Sequence, residues 1–512
     1  MVDLSKLTEF RAAMHESHFP IRRDAHLNLI DAISANGHCC RSVTELSTST
    51  HFPRQYPSIT DVVASGSQHT NKSAMSKLVY KQTHEETERV AFVIDCTPQA
   101  RPTAKCLKDK HIVYKPNPAP GNKPICVGHE YSIVAALPNS KGSANKHWLV
   151  PLSTERVSSH QKGNQVGMAQ VATLVEDLSL HNKFVISIAD SKYGTQGCLE
   201  HLSEHDNWVH LHRLNSTRNI YAPVTRLSET VGNKKRYGDV MKLNNSDTHR
   251  APDEVSTEQH TTASGRVYEL TIKRWFNYMV RGSQQYKGYE HPFDVIQVTA
   301  VDKDGRAIYK NPLWIAVQGK RRVELTTKEI FVYYHRRYDI EHYFRFGKDK
   351  LLFASFQTPT AEHEEYWWHL TSLAYVQLYL AREQITLLPK PWERYLDNYK
   401  SKNNVVSVAT PSQTQRAFSS ILNKIGTPAK LPVKRGNPLG RKKGEFQEKR
   451  TLHPVYYKSA KKNETNNSPQ SDKPVKLSDS VEIDELLNLV DFSLQKMKIS
   501  TDDFFQKLKK QA

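Results

Sequence analysis

FVISIAD, residues 184–190, is apolar almost without interruption and then stops at an acid. A strand with one wet face alternates apolar and polar residues, whereas this run predicts a strand buried on both faces of a sheet. VAFVID (90–95) repeats the pattern and again ends in aspartate. YSIVAAL (131–137), HWLVPL (147–152) and WVHLHRL (208–214) predict three further strands. Between the third and fourth strands lies NQVGMAQVATLVEDL, whose Val166, Ala169, Thr173 and Val175 through Leu178 predict a helix packed on the sheet. Three strands, a helix, a strand, a helix and a strand make an α/β layer around a mixed sheet. Asp95 and Asp190 then stand at the ends of two buried strands. Taken singly, each is also an ordinary strand-end or helix-capping residue.

Outward from this core, residues 220–320 form a β-rich interruption. VYELTIKRW (267–275), DVIQVTAV (294–301) and, after the turn DKDG, PLWIAV (312–317) are its predicted strands. Beyond it, Thr326 and Glu329 form a capping box that opens a helix near Thr327. That helix runs into YYHRRYDIEHYFRFGKDK (333–350), where Glu341 sits among basic and aromatic residues. At about 100° per residue, Tyr334, Arg337, Glu341 and Lys348 fall at roughly 0°, −60°, −20° and −40° and share one stripe. A longer helix near 361–386 carries Tyr366, Trp367 and Trp368, which read as core in preference to DNA-stacking residues.

The chain of 512 residues has a formal net charge of +19, which favours a polyanionic partner, nucleic acid above all. Six cysteines show no CxxC pair and read as reduced thiols. His38, Cys39 and Cys40 lack a second ligand pair at zinc-finger spacing. No apolar run approaches the ~20 residues of a membrane helix and no leader is evident, so a soluble, cytoplasmic, nucleoid-associated protein without membrane contact is expected. Residues 1–85 predict a small helical domain, suited to DNA-end binding or to packing. From residue 402 a proline-, asparagine- and serine-rich tail is decorated by Lys434, Arg435, Arg441, Lys442, Lys443, Lys449, Arg450, Lys458, Lys461 and Lys462. It is expected to be partly disordered apart from a terminal amphipathic piece, IDELLNLVDFSLQKM (483–497).

Asp95, Asp190 and Glu341 are the carboxylates that a pair of divalent ions would need for in-line attack on a phosphodiester, and oxygen ligands suit Mg2+ or Mn2+. Tyr334, Arg337, Glu341 and Lys348 match the spacing Y-(2)-R-(3)-E-(6)-K. With FVIDCTP, SIADSKYG and the β-rich insert, the chain over roughly 89–385 resembles the bacterial insertion-sequence DDE transposases of that signature. The resemblance implies an RNase H-like catalytic core in two parts (86–219 and 321–401) split by an insertion domain (220–320), beside the N-terminal domain (1–85) and the tail (402–512). It implies that Asp95, Asp190 and Glu341 hold two Mg2+ ions, for which Mn2+ may substitute. It also implies that Tyr334, Arg337 and Lys348 grip DNA near the cleaved end. Trp314 would stack on a flipped base of a hairpinned end, or else be a strand-core aromatic; Lys192 would touch DNA or merely flank the site. The expected partners are element ends and target duplex, with a homodimer on the DNA. An RNase H-like nuclease without mobility and an inactive DNA-binding protein are the competing readings.

Overall fold

The computed structural model describes residues 4–37, 40–114, 124–138, 147–224, 236–261, 267–282, 286–385, 408–433 and 449–457, with isolated positions between the last two segments. Strands β1 (Arg89–Ala100), β2 (His111–Tyr114), β3 (Ile125–Ala136) and β4 (Val150–Val157) come first. Helix α5 (Gly163–Asp177) then crosses to β5 (Phe184–Ala189), and a short helix α6 (Gln196–Leu199) leads to β6 (Trp208–Arg213). β3 is antiparallel to β1 and β4 to β3, while β5 is parallel to β1 and β6 to β5. The order β4-β3-β1-β5-β6 makes a mixed sheet flanked by helices, consistent with an RNase H-like DDE domain. Both doubly apolar runs are central, with β1 buried from Val90 to Ile94 and β5 throughout. β4 begins at Val150, not at His147, because His147 has φ +62 and cannot start an extended strand.

The insert adds β7 (Asn219–Tyr221), β8 (Val240–Lys242), β9 (Glu254–Thr261), β10 (Val267–Tyr278), β11 (Phe293–Asp302) and β12 (Leu313–Gln318). β12 pairs antiparallel with β6, and β11, β10 and β9 follow outward, so the insert prolongs the catalytic sheet. One face of this extension has its own apolar cluster, including Leu214, Ile220, Met241, Trp275, Phe293 and Trp314. Arg274 and Arg322 both bond Asp294, which is fully buried, at 2.7 and 3.0 Å and hold the turn after β12.

The N-terminal helices α1 (Ser5–Ala13), α2 (Arg23–Ser34), α3 (Pro57–Gln68) and α4 (Lys72–Thr83) pack into the main core. The reason is α9 (Ala361–Ala381), which is apolar on nearly every side and must be covered all round. Ser34 Oγ donates to the Ala374 carbonyl at 3.2 Å, and the Gln377 amide donates to Asp31 at 3.3 Å.

The polar tail contains structure that its composition hides. Thr410 and Gln413 form a capping box for α10 (Pro411–Ile425), whose Phe418, Ile421 and Leu422 bury in the main core. The expectation for the tail from residue 402, whose only ordered piece was to be residues 483–497, is corrected here by this earlier helix, because a three-residue stripe at i, i+3, i+4 suffices to dock a helix on an existing core. Further on, Tyr456 bonds the Lys110 and Ile112 backbones beside β2. Most of the tail's basic residues and IDELLNLVDFSLQKM lie outside the described residues.

Candidate active site

Asp95 and Asp190 meet by strand register. β1 and β5 pair from Arg89–Phe184 to Val93–Ile188, an offset of 95, and the same offset carried two residues on sets Asp95 opposite Asp190. Neighbouring strands lie about 4.8 Å apart. Asp95 Oδ1 accepts the Cys96 N–H at 2.8 Å, and Asp190 Oδ1 accepts the Lys192 N–H at 2.8 Å in a tight turn. The turn is pinned to β1 by Tyr193, whose buried hydroxyl lies 3.5 Å from Cys96 Sγ. Below, α5 presses close at Gly167, where a Cβ would stand 2.6 Å from Ile94 Cγ2, so only glycine fits without displacing the residue before Asp95.

Glu341 arrives from the other side on α8 (Asp339–Lys350), which follows α7 (Thr327–His335) across a 3-10 turn at Arg336–Tyr338. The single helix predicted over this stretch is thus broken. Three residues wound at ~120° in place of ~100° rotate the second half by roughly 60°. Tyr334, before the turn, is buried, while Arg337 and Glu341 face the aspartates. Arg337 bonds Glu341 Oε1 at 2.8 Å and lies 3.9 Å from Asp95 Oδ2.

The charge balance is unequal: three carboxylates face one guanidinium. Burial first, then the Asp190 charge, push the Asp95 carboxyl up to about 6, with Glu341 adding to the repulsion; the Cys96 N–H and Arg337 pull it back only in part. With Arg337 between Asp95 and Glu341, the three acids do not all come within 4.8 Å of one another. Donors that are all carboxylate oxygens, and that repel one another, fit a hard divalent cation.

The other predicted residues divide. Tyr334 is buried near Arg337, and burial raises its hydroxyl. Lys348 Nζ donates to Thr97 Oγ1 at 2.6 Å and to the Pro98 carbonyl at 3.0 Å, tying α8 to β1 just past Asp95; burial lowers it to about 8. Lys192 has an exposed side chain beside Asp190. Trp314 is 2% exposed, set against Trp275 and His249 in the insert's core, so its indole has no free face for a base. Of its two readings, packing describes the structure. The stacking assignment is corrected for this conformation, because β12 turns that side chain inward.

Sequence reasoning missed Arg213. β5 and β6 pair from Val185–Trp208 to Ala189–His212, an offset of 23, which sets Arg213 level with Asp190. It is exposed and electrostatically coupled to Tyr334. The signal was present, since WVHLHRL is the next parallel strand and its first polar exit residue marks the same sheet edge. Arg218 follows, with Nη1 donating to the Gly194 carbonyl at 3.3 Å.

No curated protein is matched by the chain. The model of the family described as DDE superfamily endonuclease matches residues 15–278, just over half of the chain, taking in α2 to α4, Asp95 and Asp190 and ending before Glu341. With two aspartates on adjacent parallel strands and that match across them, the chain belongs to the DDE superfamily endonuclease family.

Proposed function

We propose that this endonuclease is a DNA transposase that binds the ends of a mobile element, cuts them and joins them to target duplex. The observation that carries the reading is the row Asp95, Asp190, Arg213 at one sheet edge, with Glu341 and Arg337 closing over it. Asp95, Asp190 and Glu341 would hold Mg2+ or Mn2+. Bound there, the ions supply the positive charge that phosphodiester hydrolysis and strand transfer need. Arg337 keeps Asp95 and Glu341 apart and oriented, and Lys348 fixes α8 against β1. Arg213 and Lys192, both exposed, face the phosphates that flank the scissile bond.

The rim of the insert supports contact with unpaired bases. Arg236 lies over Tyr289 at 4.4 Å and Arg281 over Tyr221 at 4.9 Å, with Tyr237 between the two rings. No hairpin intermediate is assigned, because Trp314, which would have seated the flipped base, is sealed in the core. Contact with DNA and residence at the nucleoid belong to the same reading on the strength of the +19 charge, and a homodimer on the DNA belongs to it only as what the resemblance to insertion-sequence transposases implies.

The test uses labelled duplexes carrying the DNA that flanks the reading frame, incubated with protein and magnesium. Site-specific nicks followed by joined products support transposition. Nicks without joining leave a nuclease, and binding without nicks leaves a DNA-binding protein.

A further inference from the structure

At the opposite end of the parallel strands from Asp190, three metal-binding side chains converge. Glu176 comes from the last turn of α5, His181 from the turn into β5, and His205 from the turn into β6. Among the described residues, this is the one group of His, Cys, Asp or Glu whose ligand atoms all lie within 4.8 Å of one another. His181 Nε2 is 3.1 Å from Glu176 Oε2, and His205 Nδ1 is 4.0 Å from Glu176 Oε1. Ligands held at ~2.1 Å around a tetrahedral zinc ion stand about 3.4 Å apart, which those separations bracket.

The scaffold under the three is already fixed. The Asn207 side-chain amide donates to the Leu180 and Lys183 carbonyls, each at 2.8 Å, clamping the His181 turn to the segment that carries His205. Val185 N–H donates to the Asn207 carbonyl at 3.0 Å, joining the starts of β5 and β6. Leu180 N–H donates back to the Val175 carbonyl at 2.8 Å, closing the end of α5. His205 is held against Trp208, while Glu176 and His181 are more than half exposed, so a cation has an open path.

We infer that Glu176, His181 and His205 form a surface site for a zinc-class divalent ion, which ties the crossover helix to the ends of both parallel strands. Two imidazoles and one carboxylate favour zinc or a neighbouring transition metal over magnesium, and three protein ligands leave a fourth position for water. The site is distinct in chemistry from the all-carboxylate site across the sheet. A β5 of six residues separates the two ends by about 20 Å.

The test is equilibrium dialysis of the full chain against zinc in excess magnesium, which fills the carboxylate site with the harder ion. Wild type should retain one zinc per chain with affinity in the micromolar range. His181→Ala and His205→Ala should each weaken it at least tenfold while leaving magnesium-dependent nicking unchanged. Cobalt in place of zinc should give the strong visible absorption of a four-coordinate nitrogen-oxygen site in wild type and lose it in both variants. Equal zinc retention by wild type and both variants, or no retention by any, overturns the site. Because nicking is read separately, its failure would count against the transposase reading and not against this one.

Discussion

Two acidic centres contrast, one around Glu364 and one around Asp95, and the contrast separates structure from function. Glu364, at the start of α9, is fully buried and fully answered: Arg101 bonds it at 2.6 Å, His129 at 2.9 Å, and the Tyr131 hydroxyl donates at 2.9 Å. Asp95 is half-buried, but its neighbours are two more acids, with one arginine between them. A carboxylate given every donor it can use is holding the fold together. A carboxylate kept among like charges is held for something that arrives later.

The largest expected effect is at the satisfied centre. Glu364→Ala leaves the Arg101 charge buried without its partner and should cost about 3–5 kcal/mol, read by urea denaturation. A loss under ~1 kcal/mol would mean that the two centres do not differ as argued. At the other centre, Asp95→Ala, Asp190→Ala and Glu341→Ala should each cut nicking by more than ~100-fold, or roughly 2.7 kcal/mol in barrier. End binding, measured by gel shift, should stay near wild type. Near-normal nicking in any one variant removes that residue from the site.

Asp95→Asn sharpens the contrast further. In metal-free buffer at neutral pH it should not destabilise the fold and should gain on the order of 1 kcal/mol, since a repelled charge is removed. Magnesium should then raise the melting temperature of wild type and not of the variant. The sign follows from the folded carboxyl at about 6 against a usual value of 3.8. The protonated form is favoured on folding, so the contribution is full below pH ~4 and is lost as pH rises through about 6. A variant less stable than wild type in metal-free buffer would show that Asp95 is structural.

The smallest effects concern DNA contact. Arg213→Ala should reduce the slope of log K against log salt by about 0.9 in magnitude, as one lost phosphate contact does. Lys348→Ala should change that slope less, because Nζ is already committed to Thr97 and Pro98. Equal slopes for wild type and Arg213→Ala would place that arginine away from the DNA path.

The sheet's centre and its two aspartates were legible because doubly buried strands write themselves as unbroken apolar runs, and FVISIAD and VAFVID do so without help from elsewhere. The capping box at Thr326 and Glu329 was legible for the same local reason, and both its bonds are present. The amphipathic pattern of α10 is equally local, in Phe418, Ile421 and Leu422, but a polar average over the tail concealed it.

Other features needed the folded chain. Trp314 and Arg213 lie on β12 and β6, which pair directly with Ile315 opposite Arg213, yet one side chain is sealed and the other meets solvent. Pleat direction and the sheet's covered face decide that, and neither is written in a residue's type. The turn at Arg336–Tyr338 likewise redirected a stripe that ideal helix geometry draws straight. What the sequence by itself determined was which segments must be buried and where acids end them. Only the tertiary structure decided which charges go unanswered, because an answering charge comes from segments distant in the chain, as Arg101 does for Glu364 across 263 positions.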